Sequence, residues 1–185
     1  MHYLDNDQAC KDGDLLLLDV AAEYANYNAD LTRTIPVNGK FTPRQRDVYN
    51  AVLRVFRACC EMLKPGVILR EYQKEVEKLM EGELLSLGLL DPDEVKKQDP
   101  KKPLLKKYFM HGTSHHLGLD VHDVGLTHRP LEEGMVLTVE PGIYLRDEGF
   151  GVRLENDIVI KAGGNIDLMA SIPIEADEIE ALVNG

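Results

Sequence analysis

The sequence predicts a single α+β domain, from three observations. Two strand-like segments stand near the N-terminus, two amphipathic helical patterns follow them, and two further strand-like segments precede a short final helix. At 185 residues the chain can bury one substantial core and is short for two, so residues 1–185 are taken as one domain. A composition 44% hydrophobic and 29% charged, without internal repeats, points to a globular domain rather than a disordered or fibrous one.

Residues 14–24, DLLLLDVAAEY, predict a strand, and the four consecutive leucines imply burial on both of its faces. Residues 29–37, ADLTRTIPV, predict a second strand rich in β-branched side chains. Thr42 is a candidate N-cap with Pro43 at the first helical position. Val48, Val52, Val55, Cys59 and Met62 then recur at helical spacing until Pro65-Gly66 stops the pattern. Tyr72, Val76, Leu79 and Leu84 mark a second amphipathic helix that closes near Gly88. Residues 90–107 are polar, lysine-rich and interrupted by three prolines, as expected of a surface connection with one short helical turn. Residues 135–145, MVLTVEPGIYL, and 150–160, FGVRLENDIVI, predict two more strands joined through Asp147-Glu148-Gly149, and residues 175–183 a final short helix.

Charge and cysteine usage exclude several classes of function. A net charge of −11 without a basic stripe repels phosphate backbones, which argues against nucleic acid. No apolar run approaches the about 20 residues that a membrane span requires, and the polar N-terminus shows no secretory signal. Three cysteines without a C-x-x-C spacing indicate neither a disulfide framework nor a zinc site, and the cytoplasm is the expected location.

Acidic residues within buried strands require pairing or a metal, because an uncompensated interior charge costs several kcal/mol or more. Asp19, Asp30, Glu140 and Glu155 stand out for this reason. Directly opposed residues of a hairpin have numbers of constant sum. Opposing Asp19 to Asp30 puts a turn between Tyr24 and Ala25, and opposing Glu140 to Glu155 puts one between Asp147 and Glu148. Both turns fall where the strand patterns break. Two pairs of like charges facing each other call for a counter-charge, which a cluster of two divalent cations supplies.

Four of the six histidines fall within HGTSHHLGLDVHD, residues 111–123. One imidazole added to an oxygen-rich site shifts its preference toward Mn²⁺, Fe²⁺, Co²⁺ or Zn²⁺. His111 and His115 have the spacing of a helical zinc pair. Gly112 stands where such a helix carries its glutamate base, however, and Gly112, Thr113 and Ser114 are poor helix formers, so that reading is rejected. The other histidines suit proton transfer or carbonyl binding. His116 and His128 are taken as bystanders.

These motifs together resemble the catalytic half of the pita-bread metallopeptidases, the family of methionine aminopeptidase, prolidase and X-prolyl aminopeptidase. LLLLDVAAEY, ADLTRTIPVNGKFT, FMHGTSHHLGLDVHDVG, LTVEPGIYL and GVRLENDIVI come in the family's order, and the charged excursion before the histidines is most similar to the X-prolyl aminopeptidase (aminopeptidase P) branch. The resemblance implies a curved antiparallel sheet flanked by helices, with the N-terminal part of the domain missing. It places metal ligands at Asp19, Asp30, His115, Glu140 and Glu155, with His2, His111, His122 and Arg153 lining the active site. The implied cofactor is a pair of divalent ions, Mn²⁺ foremost, with Co²⁺, Zn²⁺ or Fe²⁺ as alternatives. The implied reaction is hydrolysis of the bond between an N-terminal residue and a penultimate proline, with Glu140 accepting a proton and His111 and His122 positioning the carbonyl. The implied partner is a peptide with proline second, and the full-length protein is expected to form a homo-oligomer. Prolidase activity on X-Pro dipeptides and a non-catalytic peptide-binding module remain alternatives, and loss of the domain's first elements would leave such a fragment inactive. The family's Asp-Ala-Gly and Gly-Asp are replaced here by Asp19-Val20-Ala21 and Ala29-Asp30.

Overall fold

A computed structural model describes residues 5–185. The first hairpin runs from β1 (Leu15–Val20) through β2 (Glu23–Tyr24) and β3 (Tyr27–Asn28) to β4 (Leu31–Pro36). Two helices, α1 (Pro43–Met62) and α2 (Leu69–Ser86), lead to a connection containing α3 (Pro92–Val95) and a 3₁₀ turn, Leu104–Lys107. The second hairpin comprises β5 (Val136–Val139), β6 (Gly142–Leu145), β7 (Phe150–Arg153) and β8 (Asn156–Val159). β9 (Ile166–Asp167) adds to β8, and α4 (Ala176–Asn184) follows.

α1 starts where the sequence places it. The Thr42 side chain accepts the Gln45 N–H while the Gln45 side chain accepts the Thr42 N–H, and Pro43 occupies a position whose own N–H would have no helical partner. Val48, Val52, Val55 and Cys59 face inward and are fully or almost fully buried. They join Val76, Met80 and Leu84 of α2 and Leu137, Val139, Ile143 and Val152 of the second hairpin in one core. The connection holds two short helical pieces rather than one. Its 3₁₀ turn is anchored by buried Leu105, and the Gln98 side chain accepts the Leu104 N–H.

The two hairpins depart from expectation in different ways. In the first, Asp19 opposes Thr32 rather than Asp30, so the register is displaced by two residues. The cause is a two-residue turn at Ala25-Asn26, both with positive φ (53° and 63°), the backbone that matches the twist of a tight hairpin. A displacement of two preserves the alternation of faces, so Asp19 and Asp30 become diagonal neighbours on one side. The predicted two-sided burial of β1 is not found. β1 hydrogen-bonds only to β4 among the described residues, leaving Leu15, Leu16 and Leu17 half-buried and Leu18 and Val20 36% and 49% exposed.

In the second hairpin the register is the expected one, from Leu145 opposite Phe150 outward to Val136 opposite Val159. The predicted long strands are each divided, at Glu140-Pro141 and at Leu154-Glu155. Pro141 contributes no N–H. At the break the Glu155 N–H turns to the Thr32 carbonyl at 3.1 Å, which joins the two hairpins.

Candidate metal centre

The breaks in the second hairpin aim Glu140 and Glu155 toward the face that carries Asp19 and Asp30. Glu155 is 2% exposed, and its Oε2 accepts the Thr32 hydroxyl at 2.6 Å. Glu140 is held by its N–H, which donates to the Thr113 carbonyl at 2.8 Å. His115 lies in an irregular loop clamped to β5: its N–H donates to Thr138 Oγ1 at 3.2 Å, and its carbonyl accepts the Thr138 N–H at 3.0 Å. Residues 111–115 are not helical, in keeping with the rejected zinc-helix reading.

Ligand-capable atoms of Asp30, His115 and Glu155 all lie within 4.8 Å of one another. His115 Nε2 is 3.5 Å from Glu140 Oε1 and 3.6 Å from Asp30 Oδ2. Its Nδ1 donates to the His116 carbonyl 3.0 Å away, which leaves Nε2, facing the carboxylates, as the nitrogen a metal ion would take in place of a proton. Asp19 reaches the same cavity from β1 and is paired with Arg153 at 2.5 Å. Arg153 also donates to Thr32 Oγ1 at 3.0 Å and to the Tyr144 hydroxyl at 3.1 Å. That hydroxyl lies 2.8 Å from His111 Nε2 and, while accepting from Arg153, directs its proton to the imidazole.

The electrostatics show how much negative charge converges here. Burial pushes the Glu155 carboxyl up to about 8, with Glu140 and Asp30 adding to the effect. Burial likewise lifts Glu140 to about 7, against the pull of His115 and Arg153. For His115, burial opposes the charged form, but pairing with Asp30, the His116 carbonyl and the Glu140 charge outweigh it and raise the pKa to about 9. Burial holds His111 neutral, with its pKa lowered to about 4. For these buried carboxyls the positive charge of His115 and Arg153 does not offset the loss of water, and a divalent cation would supply the remainder. A donor set of four carboxylates and one imidazole Nε2 fits Mn²⁺ and its borderline neighbours.

Of the residues singled out by sequence, Asp19, Asp30, His111, His115, His122, Glu140, Arg153 and Glu155 all line one cavity of about 300 Å³. The His122 ring packs edge-on against His115, with centroids 4.5 Å apart. His2 lies outside the described residues. His116 bridges to Leu137 through its backbone, and His128 is exposed. Sequence reasoning missed Thr32, Tyr144 and Asp157. Asp157 carried a usable signal, being another acid on a buried strand two residues beyond Glu155. Tyr144 and Thr32 look in sequence like ordinary strand residues.

Four acids and an imidazole gathered in one half-buried cavity define a carboxylate-rich site of the class that holds divalent cations. Sequence comparison gives that class a family: residues 1–162 match metallopeptidase family M24, and the chain belongs to it. It is 45% identical to an Xaa-Pro aminopeptidase of Escherichia coli over 99% of its own length and 44% of that protein's. Against an Xaa-Pro aminopeptidase of Haemophilus influenzae it is 41% identical, covering 100% of this chain and 45% of the relative. A histidine-to-alanine variant of E. coli aminopeptidase P superposes with a TM-score of 0.90 at 44% identity, covering 100% of this chain and 44% of that one. A zinc-substituted E. coli aminopeptidase P in complex with product gives 0.89 at the same identity, again over 100% and 44%. The fold is therefore the mixed α and β pita-bread fold. The chain spans under half the length of these curated relatives.

Proposed function

We propose that this chain is the metal-binding portion of an aminopeptidase that removes an N-terminal residue preceding proline. The observation that carries the reading is the convergence of Asp19, Asp30, His115, Glu140 and Glu155 on one cavity, with His111 and His122 on its wall. All five positions expected to hold metal bear competent ligands, which favours an enzyme over a non-catalytic module, and the relatives matched are Xaa-Pro aminopeptidases. Asp19, Asp30, His115, Glu140 and Glu155 would hold two divalent cations, with Mn²⁺ as the cellular ion. Such cations supply Lewis acidity toward the peptide carbonyl and lower the pKa of water.

The chain's own residues do the rest. Glu140, flanked by His115 at 3.5 Å and His111 at 3.8 Å, takes the proton of the attacking water. Neutral His111 donates through Nδ1, now directed at the Gly112 carbonyl 2.7 Å away, and is oriented from behind by Tyr144. His122 contacts the substrate beside His115. Proline offers no N–H, so a pocket for its ring requires no acceptor. Arg153 fixes Asp19 and Thr32, and through Thr32 it fixes Glu155. The full-length protein is proposed to be a cytoplasmic homo-oligomer. No helix among the described residues is long and apolar enough to cross a membrane.

The test is hydrolysis, at saturating Mn²⁺, of a tripeptide with proline second and of the matching X-Pro dipeptide. Release of the first residue from the tripeptide, lost on Glu140→Gln, is expected. Cleavage of the dipeptide alone would make the protein a prolidase, and peptide binding without cleavage of either would make it a binding module.

A further inference from the structure

We propose that Asp157 is a positioning residue of the metal centre, fixing the main chain of Asp30 and adding a buried negative charge behind the ligands. The inference rests on the metal-centre reading given above. Asp157 lies on β8 two residues beyond Glu155 and is 1% exposed. Its Oδ2 accepts the Asp30 N–H at 3.1 Å, across 127 residues of sequence, and its Oδ1 has no hydrogen-bond partner. Its backbone carbonyl accepts the Leu168 N–H at 2.9 Å, so the strand is held to β9 without help from the side chain.

A buried carboxylate with one hydrogen bond is an expensive way to hold a backbone amide. An asparagine offers the same acceptor in the same shape without the charge. The charge is also badly placed for the metal-free fold. It is removed from water, and one of its two oxygens has no hydrogen-bond donor. What would make the carboxylate useful is a cation held by Asp30. The hydrogen bond then sets the orientation of a ligand, and the charge deepens the potential at the ion, as partners behind first ligands do in metal sites generally.

Asp157→Asn separates these contributions, since it keeps an acceptor for the Asp30 N–H and removes the charge. Titration with Mn²⁺, following the free ion by electron paramagnetic resonance, is expected to show affinity about 10 to 100-fold weaker than wild type. The melting temperature of the metal-free Asn variant is expected to equal or exceed that of wild type. Asp157→Ala, which loses the hydrogen bond as well, is expected to bind Mn²⁺ at least as weakly and to melt lower. An Asn variant that binds like wild type overturns the inference while leaving the metal centre standing. A metal-free Asn variant that melts lower assigns the carboxylate a role in the fold and likewise overturns it. A wild-type chain that binds no Mn²⁺ removes the metal-centre reading, and this inference with it.

Discussion

The two hairpins make the same kind of contribution to the site by different physical means. The second is a core element. Leu137, Val139, Ile143, Val152 and Ile158 are essentially inaccessible, and Glu155 is carried among them with its hydrogen bond to Thr32. The first is a margin. Among the described residues β1 pairs with β4 alone, and its Asp19 is held by an ion pair to Arg153 of β7. Glu155 is therefore fixed by burial and Asp19 by a charge–charge contact, so the two should fail differently when perturbed.

The widest expected gap lies in core truncation. Leu137→Ala should cost about 2 to 5 kcal/mol in urea unfolding, whereas Leu18→Ala on the open strand should cost under about 1 kcal/mol. Comparable losses would mean that β1 is covered in solution. Next comes pH. In the metal-free chain the carboxyls of Glu155, Glu140 and Asp157 sit at about 8, 7 and 6, against 4.5, 4.5 and 3.8 in unfolded chain. Folded protein thus retains protons that the unfolded chain has released. Their stabilising contribution is complete below about pH 4 and is lost as pH rises through 6 to 8. His115, raised to about 9, acts in the same direction at the alkaline end, and His111, lowered to about 4, acts oppositely only below about 6.5. The melting temperature of chelator-treated protein should fall by at least about 4 °C between pH 5 and 8, and Mn²⁺ should remove that slope. A flat metal-free profile would mean that the carboxylates are not compressed together.

A smaller effect separates the hairpins at their turns. Ala25 occupies a left-handed backbone (φ 53°) without glycine's freedom, so Ala25→Gly should stabilise by about 0.5 to 1 kcal/mol. Gly149 (φ 76°) already has that freedom in the second turn, and Gly149→Ala should destabilise by about 1 kcal/mol, read by thermal melting.

The same contrast shows what was legible in the sequence. Opposing Glu140 to Glu155 gave the right register because the loop at 146–149 announces itself through Asp147, Glu148 and Gly149. Opposing Asp19 to Asp30 was wrong by two positions, because Ala25 gives no sign of accepting positive φ. The shared face survived the error because the side-chain period of a strand is two. Four leucines in a row suggested burial on both faces, but that pattern reports only that a strand can be covered, not that something lies over it. Thr32, Tyr144 and Asp157 went unnoticed as site residues because their roles depend on contacts 123, 33 and 127 residues away in the chain.

The decisive measurement is calorimetric titration of the metal-free chain with Mn²⁺ at pH 7.5, beside the variants Glu155→Ala and Asp19→Ala. Two bound ions per wild-type chain are expected. Glu155→Ala, which removes the most deeply buried of the five ligands, should weaken Mn²⁺ binding more than Asp19→Ala does. Wild-type protein that is folded yet binds no Mn²⁺, or variants that bind it as wild type does, would contradict the assignment of this cavity as a metal centre.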